Sequence, residues 1–240
     1  TQPRLGPASL DALDPRVHRP AYDRATIGCG IVHLGVGAFI RAHIAVYCDD
    51  VLETGGDWGI AGVSLRRPDV SLQLEPQDCL YTVRIGAGTS AYRLIGALRS
   101  IAVAPDNPAA IVDRLASPAT RVVTITVTEK GYCIDPHRGG LAAEHPDVVH
   151  DLAHPAEPRG LVGLLHAACR QRRDRRSGGF TVLSCDNLPS NGALLRRAVL
   201  DFASLAGGEL GDWIERHVAF PSSMIDRIVP ATTPEDIANA

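Results

Sequence analysis

The chain has 240 residues, 45% of them hydrophobic, and a formal charge of -3, enough apolar material for one sizeable core in an ordinary globular protein. No clustered cationic face is available to neutralise a run of phosphates, so nucleic acid is not an expected partner, and no stretch of about 18 uncharged apolar residues offers a membrane span. The six cysteines, Cys29, Cys48, Cys79, Cys133, Cys169 and Cys185, show no C-x-x-C spacing and read as buried free thiols of a reducing, cytoplasmic compartment.

Residues 1–30, rich in Pro and Asp and without an apolar leader, read as an extended arm laid over a domain that occupies 31–240. "IVHLGV" is a short buried strand, and a helix is expected from Ala38 to about Thr54, stopped at Gly55-Gly56. Trp58 to Leu65, "WGIAGVSL", is the next buried strand. "LYTVRIGAGTSAYRLIGAL" alternates around a Gly-rich turn and predicts a hairpin inserted at a sheet edge. "NPAAIVDRLAS" is helical, and the β-branched run "RVVTITVTE" is a strand covered on both faces.

"GLVGLLHAACRQRR" and "FTVLSCDN" repeat the helix and the strand. The cationic run Arg170 to Arg176 is expected to be a solvated helix end, where cations suit the dipole. "NGALLRRAVLDFASLAGG" and "LGDWIERHVAF" are helical, and "SSMIDRIVP" is expected as a final short strand. Parallel strands need crossovers, so this succession predicts an α/β fold: a doubly wound, mostly parallel sheet of the Rossmann-like kind with an inserted β-hairpin.

Gly35-Val36-Gly37 closes the first strand and leads straight into a helix. A backbone without Cβ atoms turns tightly there and lets a pyrophosphate approach the free N–H groups of the helix start, although a plain tight turn would look the same. Ile40 stands where a dinucleotide-binding turn has its third small residue. Past the second strand, Asp69 is the candidate acceptor for adenosine ribose hydroxyls, while Arg66 and Arg67 are candidates for a 2'-phosphate. The acid favours NAD and the arginines keep NADP open.

An open parallel sheet binds ligands at the C-terminal ends of its strands. Glu129 and Asp186-Asn187 stand there. A carboxylic acid can relay protons and the Asn187 amide can donate to a carbonyl or alkoxide oxygen, with turn formation as the alternative for both and the main expectation for Asp186. Asp226, beside Arg227 in an apolar segment, either pairs with that arginine or helps orient the site. His33 reads as a hydrogen-bonded core residue, and His43 as facing either cofactor or solvent. No histidine pair is expected at metal spacing, and H-E-x-x-H, Gly-x-Ser-x-Gly and the P-loop motif are absent, so neither a metal site nor a hydrolase is expected.

"IVHLGVGAFIRAHIAVY", "VTEKGYC", "VLSCDNLPSNG" and "FPSSMIDRIVP" together resemble, in order and spacing, the mannitol dehydrogenase family of polyol-specific long-chain dehydrogenases. In that family the Ile40 position is usually His and the Ile225 position usually Val. The resemblance implies NAD-dependent, metal-independent hydride transfer between a secondary carbinol and the nicotinamide C4, with fructose/mannitol or fructuronate/mannonate as substrates. It implies that Gly35, Val36, Gly37, Ala38, Phe39, Arg41 and Asp69 bind the cofactor, that Asn187 polarises the reacting oxygen, that Glu129 governs proton passage and that Asp226 lines the site. It also implies a lysine base in a second, mostly helical domain, in a block with L-N-G-S-H that this sequence does not contain; Lys130 matches an E-K-G-Y variant and is not that base. The chain therefore looks like a cofactor-binding part whose C-terminal catalytic domain is missing or separate, the alternative being a binding-only dinucleotide module or an inactive remnant.

Overall fold

Among the described residues eight strands form where β-branched and apolar runs meet turn residues: β1 (Ile31–Leu34), β2 (Ile60–Ser64), β3 (Tyr81–Ile85), β4 (Ala91–Ile95), β5 (Leu98–Val103), β6 (Val122–Ile125), β7 (Phe180–Ser184) and β8 (Val218–Ala219). Seven α-helices among the same residues connect them: α1 (Ala45–Leu52), α2 (Asp69–Leu74), α3 (Pro108–Ala116), α4 (Pro146–Ala153), α5 (Leu161–Arg175), α6 (Asn191–Ala206) and α7 (Leu210–His217). The computed structural model describes residues 4–86, 91–135 and 138–233. Among them no helix is long and apolar enough to cross a membrane.

Six strands make one parallel sheet in the order β5-β2-β1-β6-β7-β8. The chain runs outward from β1 through β2 to β5, then returns to place β6 on the other side of β1, so the winding reverses between β1 and β6. That reversal opens a crevice above the strand ends. All of β1 and β2 is buried, as expected for strands covered on both faces. Ile31, Ile60 and Leu98 pack with Ala45, Cys48 and Leu52 of α1 on one face. On the other, Val32, Leu34, Val63, Val123 and Ile125 pack with Ile111 and Leu115 of α3 and with Leu161, Leu164 and Leu165 of α5. Each such side chain contributes about 1.5–3 kcal/mol when fully buried.

Several expectations need correction. The hairpin exists, Tyr81 opposite Ile95 and Ile85 opposite Ala91, but β3 and β4 form their own two-stranded sheet rather than joining the main one; its Gly-rich turn, 87–90, lies outside the described residues. The edge position belongs to β5, which follows the hairpin directly. Asp49 of α1 accounts for the break between them: its carboxylate accepts the N–H groups of Gly96 (3.1 Å) and Ala97 (2.9 Å) that would otherwise continue a ladder. The arm is not merely extended, since it holds 3-10 turns at Pro7–Ala12 and Arg24–Thr26. It is fastened to the hairpin by His18 N–H donating to Tyr92 O (2.9 Å) and by the Arg24–Asp78 ion pair (2.5 Å).

The final strand is Val218–Ala219, and "SSMIDRIVP" has no regular structure; Met224 and Ile228 are 90% and 88% exposed, so no neighbour replaces the ladder such a strand would need. The cationic run ends α5 with Arg175 and Arg176 exposed, as expected, but one member departs from a solvated end. Arg172 is 1% exposed, its guanidinium donating to the carbonyls of Leu115, Ser117, Thr120, Gly178 and Gly179 and lying 4.6 Å from the Phe180 ring centroid.

Candidate functional site

Strand register fixes the mouth of the crevice. Leu34 pairs with Val63 on one side and Ile125 on the other, and Ile125 pairs with Ser184. The residues that follow β1, β2, β6 and β7 therefore emerge at one edge of the sheet. Gly35 takes φ +99°, and a Cβ on it would lie 2.1 Å from the Thr126 carbonyl oxygen, so only glycine both turns and clears the neighbouring loop. Below it, fully buried His33 holds the turn: Nε2 contacts Gly35 O (3.0 Å) and Thr126 Oγ1 (2.9 Å), and Nδ1 contacts Thr124 Oγ1 (2.8 Å). Burial depresses its pKa from 6.5 to about 4. His33 is the hydrogen-bonded core residue expected.

Beyond Gly35, Val36 is buried against β2, where a Cβ on Gly62 would meet Val36 Cγ2 at 2.7 Å. Gly37 is exposed, with nothing within 4 Å of where its Cβ would be, and Ala38 is exposed beside it. The helix then opens as a π-turn, Ile40–Ile44, ahead of α1, a wider turn of the kind that often marks functional sites. Ile40 is fully buried in the α1-side core. It faces inward as packing, so the close backbone approach above the turn is left to Gly37. Arg41 folds back, Nε donating to Gly37 O (3.1 Å), and its own carbonyl accepts from Tyr81 Oη (2.8 Å). Phe39 is half-buried, its ring centroid 4.9 Å from that of His43. His43 Nε2 is buried without a hydrogen-bond partner; burial first, then the Arg227 cation, lowers its pKa, which sets the tail bearing Asp226 and Arg227 near the helix start.

Asp69 is exposed as the first residue of α2, beyond the end of β2. Glu129 is exposed at the start of a 3-10 turn, Glu129–Tyr132, beyond β6, and Asn187 is exposed beyond β7. Asp186 does the structural work expected of it, accepting from Val127 N–H (2.9 Å) and Tyr132 Oη (2.8 Å), so that the two rim loops are bound together. Thr128 (φ 66°), Cys133 (φ 52°) and Ser190 (φ 52°) are left-handed non-glycine residues in these same loops, a conformation that persists only where the surroundings enforce it.

Asp226 is exposed. The tail is held by Asn191, which sequence reasoning missed. Its fully buried amide donates to Ser184 O (3.3 Å), Asp186 O (3.0 Å) and Ser223 O (3.1 Å), and its oxygen accepts from Ser223 N–H (3.0 Å). The available signal was the second Asn of "DNLPSN", at the start of a helix.

Arg66, just past β2, is not free. Its Nη2 pairs with Asp147 Oδ2 and its Nη1 with Oδ1 (3.4 Å). Asp147 belongs to the first turn of α4, an element the sequence did not reveal, and His145 caps that helix by accepting Asp147 N–H on Nδ1 (3.2 Å). Cys133, His145 and Asp147 bring one metal-ligand atom each within 4.8 Å of one another, a grouping not foreseen when no metal site was expected. Each is already engaged: the carboxylate by Arg66, the imidazole by the cap, and the thiol protonated, pushed up to about 11 chiefly by burial. The expectation of no histidine pair at metal spacing is corrected by His150, on α4, and His154, just past its end, which stand four residues apart. Their rings stack at 4.6 Å, with Nδ1 of His150 on Asp151 (3.0 Å) and Nδ1 of His154 on the His150 carbonyl (3.1 Å).

Residues 29–239 match the family model described as the mannitol dehydrogenase Rossmann domain. The uncharacterized oxidoreductase YeiQ of Escherichia coli is 46% identical over 229 residues, 94% of this chain and 47% of that protein. The polyol:NADP oxidoreductase of Gluconobacter oxydans is 42% identical over 95% of this chain and 48% of its own length. The solved mannitol 2-dehydrogenase of Pseudomonas fluorescens, in a ternary complex with NAD and D-mannitol, superposes with a TM-score of 0.93 at 45% identity, covering 98% of this chain and 49% of that one. The chain thus spans about half the length of these relatives. With strand order, glycine turn and family match in agreement, the chain belongs to the mannitol dehydrogenase family and carries its Rossmann domain.

Proposed function

We propose that this chain is the NAD-binding part of an oxidoreductase acting on a sugar alcohol or a sugar acid, fructose/mannitol or fructuronate/mannonate, in a cytoplasmic setting. The observation that carries the reading is the Gly35–Gly37 turn at the point where the sheet reverses, with open space above Gly37. The first N–H groups of a helix lack intrahelical partners, so a pyrophosphate over Gly37 and Ala38 meets donors and the positive end of the helix. Val36, Phe39 and Arg41 shape that turn, and Asp69 accepts hydrogen bonds from the adenosine ribose. Bound there, the nicotinamide supplies the hydride acceptor or donor. Asn187 donates its amide to the carbinol or carbonyl oxygen as charge develops. Glu129 passes a proton between that oxygen and solvent, and Asp226, three residues past the Ser223 that Asn191 holds, lines the approach.

The lysine base that the resemblance implies has no counterpart among these 240 residues, so full turnover is assigned to this unit together with a C-terminal catalytic domain of the kind the resemblance implies. Calorimetry with NAD, alongside assays of fructose and fructuronate reduction by this chain alone, tests both parts. The expected result is saturable NAD binding without reduction of either sugar. Turnover by the chain alone would contradict the assignment of the base elsewhere, and failure to bind NAD would contradict the reading itself.

A further inference from the structure

Six consecutive residues at the mouth of β2, Ser64-Leu65-Arg66-Arg67-Pro68-Asp69, carry two cations and one carboxylate where the adenosine ribose of a dinucleotide is recognised. A 2'-hydroxyl and a 2'-phosphate differ there by about two negative charges, so the state of those cations decides which is accepted. Both arginines are exposed. Arg66 is engaged 81 residues along the chain, by both oxygens of Asp147.

The carboxylate is the fixed member of this pair. The Asp147 side chain is 15% exposed against 62% for Arg66. It stands in the first turn of α4, where a negative charge suits the helix dipole, and its backbone is held by the His145 cap. Both oxygens engage the two terminal nitrogens of the guanidinium, a forked arrangement that commits two of its five N–H donors to the carboxylate. A 2'-phosphate would have to draw Arg66 away and leave the Asp147 carboxylate uncompensated, whereas a 2'-hydroxyl asks nothing of the pair. Resting on the dinucleotide reading of the crevice, we infer that Asp147 is a specificity-determining positioning residue: by holding Arg66 it sets the preference for a 2'-hydroxyl over a 2'-phosphate, NAD over NADP.

The test is the ratio of dissociation constants for NADP and NAD, by calorimetry at low salt, which needs no turnover. Asp147→Asn, near-isosteric and checked for an unchanged circular dichroism spectrum, is expected to shift the ratio toward NADP by about tenfold, the effect of one good hydrogen bond to a charged group. Arg66→Ala added to Asp147→Asn is expected to return the ratio to its original value. The remote Asp113→Asn, which removes the same charge from an exposed ion pair with Arg175, is expected to leave it unchanged.

An unchanged ratio in Asp147→Asn overturns the inference, as does a shift that survives loss of Arg66 or is reproduced by Asp113→Asn. Unaltered protein that binds neither dinucleotide removes the crevice reading as well. NAD binding with an unmoved ratio removes the role of Asp147 alone.

Discussion

His33 is an internal gauge of the crevice floor. Its folded pKa of about 4 lies below the ordinary 6.5, as does that of buried His166, also near 4 and lowered first by burial and then by Arg170 and Arg173. The unfolded chain therefore binds protons that the folded chain refuses, and stability falls as pH drops from about 6.5 toward 4. Between pH 7 and 5 each histidine accounts for a loss of about 2 kcal/mol. Urea unfolding at the two pH values should show this loss, with a smaller pH dependence in His33→Gln; an undiminished dependence in that variant would show that His33 is not held neutral by the fold. At this scale the sequence was informative where backbone need dictates residue type. Gly35 was legible because its turn tolerates no Cβ and Asp186 because Asx residues tie turns, whereas Asn191 was not, since its one local signal, an Asn at a helix start, does not tell burial of the amide from exposure.

Among the elements, α5 depends on Arg172 more than its cationic sequence suggests. The guanidinium gathers carbonyls from the end of α3, from the loop between α3 and β6 and from the turn before β7. Replacing it by Met keeps the stem but leaves those carbonyls short of donors, and a loss of about 3 kcal/mol or more is expected. Arg175→Met, whose partner Asp113 is exposed, should cost under about 1 kcal/mol. Equal denaturation midpoints for the two variants would contradict this account.

The elements most legible in sequence were the continuous β-branched runs, β2 and β6, and the helices stopped by Gly pairs. The rest escaped for identifiable reasons. Arginine and serine interrupt the apolar run of β5, whose burial alternates irregularly; β8 has only two residues; and α4 is capped by a histidine, an uncommon N-cap residue. "SSMIDRIVP" has the apolar content of a strand but no partner strand to pair with among the described residues.

For the whole molecule, strand order does most to define function. The sequence foretold parallel strands with helices on both faces. It could not give the order β5-β2-β1-β6-β7-β8, because pairing between distant segments leaves no local mark, and that order sets Gly35, Asp69, Glu129 and Asn187 along one edge. The most direct measurement of the central claim is an NAD titration followed by amide chemical shifts of the folded chain. Perturbations are expected to cluster at residues 35–39, 64–69, 126–130 and 185–188, at the C-terminal ends of four adjacent strands. Shifts confined to the opposite edge of the sheet, or none at saturating NAD, would contradict it.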